Sequence, residues 1–215
     1  MKRVLSLAIM VLARIGLAND HNNIERGRPL LFDDAYSIAY GEREFQTGLS
    51  LAGNHLGFNT SLGYGFAKNQ EISFGFDANR GSSTIGEVSF FQNLAREIND
   101  SPAFGFRLTS TAAAGQKPSG NLRLIATKAL QQYDKIHLNL DFESRQVPGF
   151  LVGYSAPIGY PKRFDQTLMA EVGYKQKQAI VGVGMRRQID PRSVLDFGIE
   201  SGKTLRLTAG FSIAF

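Results

Sequence analysis

From Thr204 to the C-terminal Phe215 every odd position carries an apolar side chain: Leu205, Leu207, Ala209, Phe211, Ile213 and Phe215. The even positions hold Thr204, Arg206, Thr208, Gly210, Ser212 and Ala214. A period of two over that length is a strand with one apolar face and one small or polar face. The same pattern covers residues 55–67, where Leu56, Phe58, Thr60, Leu62, Tyr64 and Phe66 share one side and Gly57, Asn59, Ser61, Gly63, Gly65 and Ala67 the other. Residues 45–67 carry no Asp, Glu, Lys or Arg, yet Gly, Asn and Ser at alternate positions speak against a helix and for two strands meeting at Gly53-Asn54. Read along the whole chain, the alternation predicts twelve strands: 43–52, 55–67, 71–78, 86–94, 103–114, 122–131, 135–144, 150–157, 167–174, 179–188, 193–201 and 204–215. Facing is ambiguous only in 86–94 and 179–188. Asn69-Gln70, Gln132-Tyr133-Asp134 and Asp190-Pro191-Arg192 read as tight connections.

Evenly spaced strands of this length suit either a soluble sandwich or barrel, or an outer-membrane barrel. The polar faces decide between them. They carry Glu44, Asn59, Glu71, Asp77, Arg107, Arg123, His137, Asn139, Asp141, Glu171, Asp196, Glu200 and Arg206 among glycines and serines. That set fits a lumen whose surroundings are wet or ion-paired, with the apolar faces turned to lipid. The expected fold is therefore all-β, a transmembrane antiparallel up-and-down β-barrel of about 12 strands.

Composition alone conceals this. The chain has 215 residues, 43% of them hydrophobic, no Cys and no Trp. Averaging a lipid face with a lumen face produces a value resembling that of a soluble protein, and no run of about 18 apolar residues offers a membrane helix. The formal charge of +5 also shrinks on inspection. Lys2 and Arg3, the apolar run 4–13 and the small residues Gly16 and Ala18 have the layout of a secretory signal peptide, residues 1–18, with Arg14 an irregularity late in it. Its removal takes Lys and Arg from 24 to 21 against 19 acids, a net +2, and with that the case for nucleic acid as a partner falls away. Residues 19–35 show no alternation and are expected as a loose periplasmic segment, the alternative being a stub that enters the lumen; residues 36–215 are expected as the barrel.

The C-terminal strand, with apolar residues at every second position and Phe211, Ile213 and Phe215 at its end, resembles the insertion signal of Gram-negative outer-membrane proteins, which implies recognition by the barrel assembly machinery. The stretches Arg26-Gly27-Arg28-Pro29-Leu30-Leu31-Phe32-Asp33-Asp34-Ala35-Tyr36 and Tyr40-Gly41-Glu42-Arg43-Glu44 resemble the start of outer-membrane transporters named after the meta pathway of phenol degradation. The His137-Leu138-Asn139-Leu140 strand and the turn Pro191 to Asp196 are similar to the same family. That resemblance implies an outer-membrane barrel passing small, often aromatic, compounds.

Chemistry beyond passage finds little support. His21, His55 and His137 have no H-x-x-x-H spacing and no Cys beside them, so neither a metal nor another cofactor is expected. Gly202-Lys203-Thr204 imitates the end of a phosphate loop, but Phe197 occupies the position of its first Gly. A membrane lipid hydrolase would need a Ser near His137 on the lipid side, whereas His137 lies on the polar face with Asn139, Asp141 and Glu143. No enzymatic activity is expected. The preferred function is a passive channel or transporter for small molecules, with a closed structural or lipid-binding barrel as the rival, in either case monomeric.

Twelve strands fall between the eight that side chains can fill and the 16 or more of open porins, so the lumen could be narrow or plugged. Arg107, Arg123 and Arg206 either neutralise neighbouring carboxylates or select solutes. Five of six loops at one end carry cations (Arg80, Lys117, Arg145, Lys175 with Lys177, Lys203) and none carries an acid, which suggests a rim that pairs with lipopolysaccharide phosphates. Tyr40, Tyr64, Tyr133, Tyr154, Tyr160 and Tyr174 are expected to form interfacial girdles.

Overall fold

The computed structural model describes residues 29–79, 83–98, 100–130, 133–144, 146–158 and 166–215. Twelve strands form one sheet: β1 (Arg43–Ala52), β2 (His55–Ala67), β3 (Gln70–Asn79), β4 (Ile85–Ala95), β5 (Ala103–Ala113), β6 (Ser119–Ala129), β7 (Lys135–Glu143), β8 (Gly149–Ile158), β9 (Gln166–Lys175), β10 (Gln178–Asp190), β11 (Ser193–Ser201) and β12 (Leu205–Ala214). Each pairs antiparallel with its sequence neighbours, and β1 pairs with β12, so the sheet closes on itself. Closure leaves no edge and satisfies the strand backbone internally, the condition for a sheet in hydrocarbon. At the seam the Arg43 amide donates to the Phe215 carbonyl at 2.9 Å and the Phe215 amide to the Arg43 carbonyl at 2.8 Å. The rim carrying Arg43 and Phe215 is called here the near rim, and the opposite one, with the Gly53-Asn54 turn, the far rim.

Strand lengths of 9 to 13 residues match a bilayer crossing by tilted strands, which needs about 9–11. The outward positions form an apolar coat: Phe58, Phe74, Leu108, Leu138, Val172, Val181, Phe197 and Leu207 are all exposed. So large an exposed apolar surface on a closed barrel calls for lipid around it. Phe211, Ile213 and Phe215, the end of the C-terminal strand, lie half-buried on this outer phase. Of the tyrosines, Tyr40, Tyr64, Tyr133 and Tyr154 cluster toward the near rim and Tyr174 lies toward the far one; Tyr160 is outside the described residues. The girdle is thus concentrated at one end.

Both ambiguous strands resolve. In β4, Ser89, Phe91 and Asn93 point inward, and in β10 Ile180 and Arg186 do. Register shifts occur between Tyr64 and Ala67, Asn93 and Ala95, and Gln188 and Asp190, all toward the near rim, where bulges add twist. The barrel sheet begins only at Arg43. Of the described residues before it, 29–38 run through its interior.

Candidate functional site

Of the polar residues assigned to the lumen face, Glu44, Glu71, Arg107, Arg123, His137, Asn139, Asp141, Glu171, Asp196 and Glu200 are buried and Asn59, Asp77 and Arg206 line a cavity inside the barrel, but the lumen is neither empty nor uniformly polar. Residues 29–38 form a strap through its interior. Residues 29–35 belong to the segment expected as a loose tail, with a stub entering the lumen as the alternative; the placement is that of the alternative, with Leu30, Phe32 and Ala35 fully buried and Asp33 and Asp34 nearly so. The strap passes the strands in reverse order. The Pro29 carbonyl accepts from Thr208 Oγ1 in β12 at 2.8 Å, and the amides of Leu31 and Phe32 donate to Glu171 Oε2 in β9 at 2.9 and 3.1 Å. Asp33 exchanges two bonds with Asn139 in β7, its amide donating to Oδ1 at 2.6 Å and its carbonyl accepting from Nδ2 at 2.9 Å. The Ala35 amide donates to Thr127 Oγ1 in β6 and its carbonyl accepts from Asn93 Nδ2 in β4. The Ile38 amide donates to Glu71 Oε2 in β3 at 3.2 Å, and the Gly41 amide to the Gly65 carbonyl in β2 at 2.7 Å, just before β1 begins. Polar inner-wall residues therefore satisfy the backbone of an irregular segment held where water is scarce.

Apolar contacts seat the strap as well. Leu30 and Phe32 pack with Leu151, Met169 and Ile180, and Ala35 with Phe91, Ala103 and Ile125. These inward apolar residues interrupt the lumen's polarity where the strap lies. Glycines supply the space. A Cβ on Gly153 would stand 2.5 Å from Phe32 Cγ, one on Gly182 2.9 Å from Leu30 Cδ2, and one on Gly184 3.0 Å from Pro29 Cγ; one on Gly198 would collide with the Pro29 carbonyl. Fully burying a side chain the size of Leu or Phe is worth roughly 1.5–3 kcal/mol, so these two anchors outweigh any single hydrogen bond of the strap.

Toward the far rim the lumen opens into a cavity of about 520 Å³ floored by Leu31 and Asp33 of the strap. Its walls include Gln46, Ser50, Asn59, Thr60, Asp77, Glu87, Arg107, Arg123, Lys175 and Arg206. Arg107 and Arg123 are opposed across β5 and β6. Arg123 grips Asp141 with Nε at 2.7 Å and Nη2 at 2.9 Å, and its Nη1 reaches Asp33 Oδ2 at 2.9 Å and the Leu31 carbonyl at 2.8 Å. Arg107 Nε lies 3.4 Å from the same Asp33 oxygen, and its Nη1 3.5 Å from Glu71. Arg206 pairs with Glu200 at 2.6 Å. Glu44 and Asp196 are buried on the inner wall, Asp196 opposite Arg186 in register.

His137 is fully buried near the strap. Its Nδ1 lies 3.1 Å from Thr127 Oγ1, its Nε2 lies 3.0 Å from Ser155 Oγ, and its ring packs at 4.9 Å against Phe32. Ser155 is the serine a hydrolase would need, but the imidazole's other partner is a threonine, and both groups face the strap rather than the lipid. The arrangement positions Thr127, which in turn holds the Ala35 amide.

The cationic rim needs one correction. Lys175 turns inward, with Nζ 3.2 Å from Asp141 Oδ2, because a buried carboxylate attracts it more strongly than the solvent does. Lys117, Lys177 and Lys203 are exposed at the far rim, while Arg80 and Arg145 lie outside the described residues, as does the expected signal peptide. Among the described residues no group of three or more His, Cys, Asp or Glu is arranged to hold a metal ion.

No protein-family model matches the chain, and no curated protein matches it in sequence. Solved structures do match in shape. The KdgM porin in complex with disordered oligogalacturonate superposes with a TM-score of 0.66 at 12% identity, over 80% of this chain and 99% of that one. KdgM porin alone gives 0.65 at the same identity and coverage. The outer membrane protein Omp33 of Acinetobacter baumannii gives 0.61 at 8% identity, over 81% and 98%. At such identities the likeness is one of fold: the chain has the closed antiparallel barrel of outer-membrane porins. The resemblance to the phenol-pathway transporters receives no support from these comparisons.

Proposed function

We propose that this chain resides in the outer membrane and passes small hydrophilic solutes, which enter from the far rim and meet a constriction at the strap. The observation that carries this reading is the contrast across the wall: an apolar coat outside and, inside, a 520 Å³ cavity lined by Gln46, Asn59, Thr60, Asp77, Arg107 and Arg123. A structural barrel has no use for a water-accessible cavity with that many charged and amide groups. The polarity of the lining favours hydrophilic solutes over the aromatic compounds expected from the family resemblance. The likeness of fold to the KdgM and Omp33 barrels supports passage of solutes in general and says nothing of which ones.

The burial of most of the strap favours a second reading, a closed barrel that serves a structural purpose. Swelling of liposomes containing the purified chain separates the two. A channel admits glycine and arabinose quickly and raffinose slowly or not at all. A closed barrel gives no swelling with any of them while still migrating as a folded, heat-modifiable band.

A further inference from the structure

On the channel reading just given, we propose that Arg107 and Arg123 form a binding site for the carboxylate group of a small organic acid, and that in the state described here the site is filled by the strap's own Asp33. The two guanidinium groups come from residues directly opposed across β5 and β6 and converge on a single oxygen, Asp33 Oδ2, at 3.4 and 2.9 Å. Both arginines and Asp33 line the cavity open toward the far rim. Arginine is suited to this role because its fixed fork of donors matches carboxylate geometry.

The two arginines are held independently of Asp33. Asp141 grips Arg123 through Nε and Nη2, leaving Nη1 to face the strap, and Glu71 and Ser89 lie beside Arg107 Nη1. The site therefore keeps its shape when Asp33 turns away. Asp33 can turn without unseating the strap, since its backbone is fixed by Asn139 on both the amide and the carbonyl, and the neighbouring Phe32 is buried against Gly153 and His137. The charges agree with an anionic guest. The cavity is lined by four cations (Arg107, Arg123, Lys175, Arg206) and three carboxylates (Asp33, Asp77, Glu87), and one of those three is the strap's. Turning Asp33 aside makes the lining more cationic. Lys175 and Arg206, on the same cavity, are paired with Asp141 and Glu200. In this scheme Asp33 is an internal competitor that keeps affinity low enough for release, as conduction requires.

The test is succinate binding to the purified, folded chain, followed by calorimetry and by NMR of the arginine side chains. Asp33→Asn should bind succinate at least tenfold more tightly than the native chain, and Arg107→Lys should lose at least tenfold relative to native. Exchange of the Phe32 and Asp33 amides should be unchanged by succinate, because the strap stays seated. Equal succinate affinity in the native chain and Asp33→Asn, both folded and heat-modifiable, would overturn the proposal. So would inorganic phosphate binding as tightly as succinate, which would make the site a general anion site. Should Asp33→Asn fail to fold, Asp33→Ser provides the same comparison. Binding is read without any flux, so a chain that binds succinate as described but passes no solute leaves the site standing and refutes the channel.

Discussion

The ring of Phe32 occupies the place where a side chain on Gly153 would begin: a Cβ built on that glycine lies 2.5, 2.6 and 2.7 Å from three of the ring carbons. The inner wall of β8 is thus cut to the shape of the strap. Gly153→Ala should loosen the strap by about 1–3 kcal/mol, the usual range for overpacking, while the sheet survives because no backbone conformation special to glycine is needed there. Amide exchange at Phe32 and Asp33 should speed up with the β-sheet circular dichroism unchanged. Unchanged exchange would mean that the ring is not wedged as described.

Glu171 holds two strap amides with one carboxylate oxygen. Replacing it by Leu leaves the Leu31 and Phe32 amides without an acceptor at a site closed to water, at about 1–3 kcal/mol per group. Hydrogen exchange should show protection lost at Leu31 and Phe32 and kept at Ala35, whose acceptor is Thr127. Glu171→Gln, which retains an acceptor oxygen, should restore much of the protection.

Much of the barrel was legible because a half-lipid, half-lumen strand writes its facing into every second residue. The predicted spans agree with the strands to within a few residues at each end, and polar positions such as Glu71, His137, Asn139 and Glu171 are buried on the inner wall. What alternation could not show was the strap. An irregular segment that packs against both apolar and polar wall residues has no period of its own, and Pro29 to Ala35 reads as a loop when the wall it touches is unknown. A signal did exist. Gly153, Gly182, Gly184 and Gly198 gather on the inner phase of β8, β10 and β11, and Phe91, Ile125, Leu151 and Ile180 break the polar face, which together describe a seat for something apolar. Lys175 was misplaced for a related reason: its charge was counted with the loop, while its partner Asp141 lies on another strand.

Glu97, in the connection between β4 and β5, ties the near rim together. Burial by itself would raise its carboxyl, but Lys128 Nζ at 2.9 Å, the Ala129 amide at 3.1 Å and the Tyr36 hydroxyl at 3.4 Å outweigh that and hold it below the ordinary value of 4.5. A carboxylate with a lowered folded pKa adds stability that is fully present above its unfolded value and is lost as the pH falls through the folded one. An NMR titration should therefore find Glu97 below 4.5 in the native chain and shifted upward in Lys128→Met. An unshifted Glu97 in that variant would remove Lys128 as the cause.

Phe215 closes the barrel through its exchange of two backbone bonds with Arg43. Deleting it removes both bonds at the seam together with an outward aromatic side chain. The folded, heat-modifiable fraction recovered from membranes should fall severalfold, whereas Phe215→Tyr, which keeps backbone and ring, should assemble normally.

The central claim, a solute channel narrowed by its own N-terminal strap, is tested most directly by single-channel conductance in planar bilayers, native chain against Gly153→Ala. The account predicts small, discrete steps for the native chain and larger steps for the variant, with both proteins folded and heat-modifiable. Silence from both would contradict it and leave a closed barrel; equal steps from both would show that the strap does not set the width of the passage.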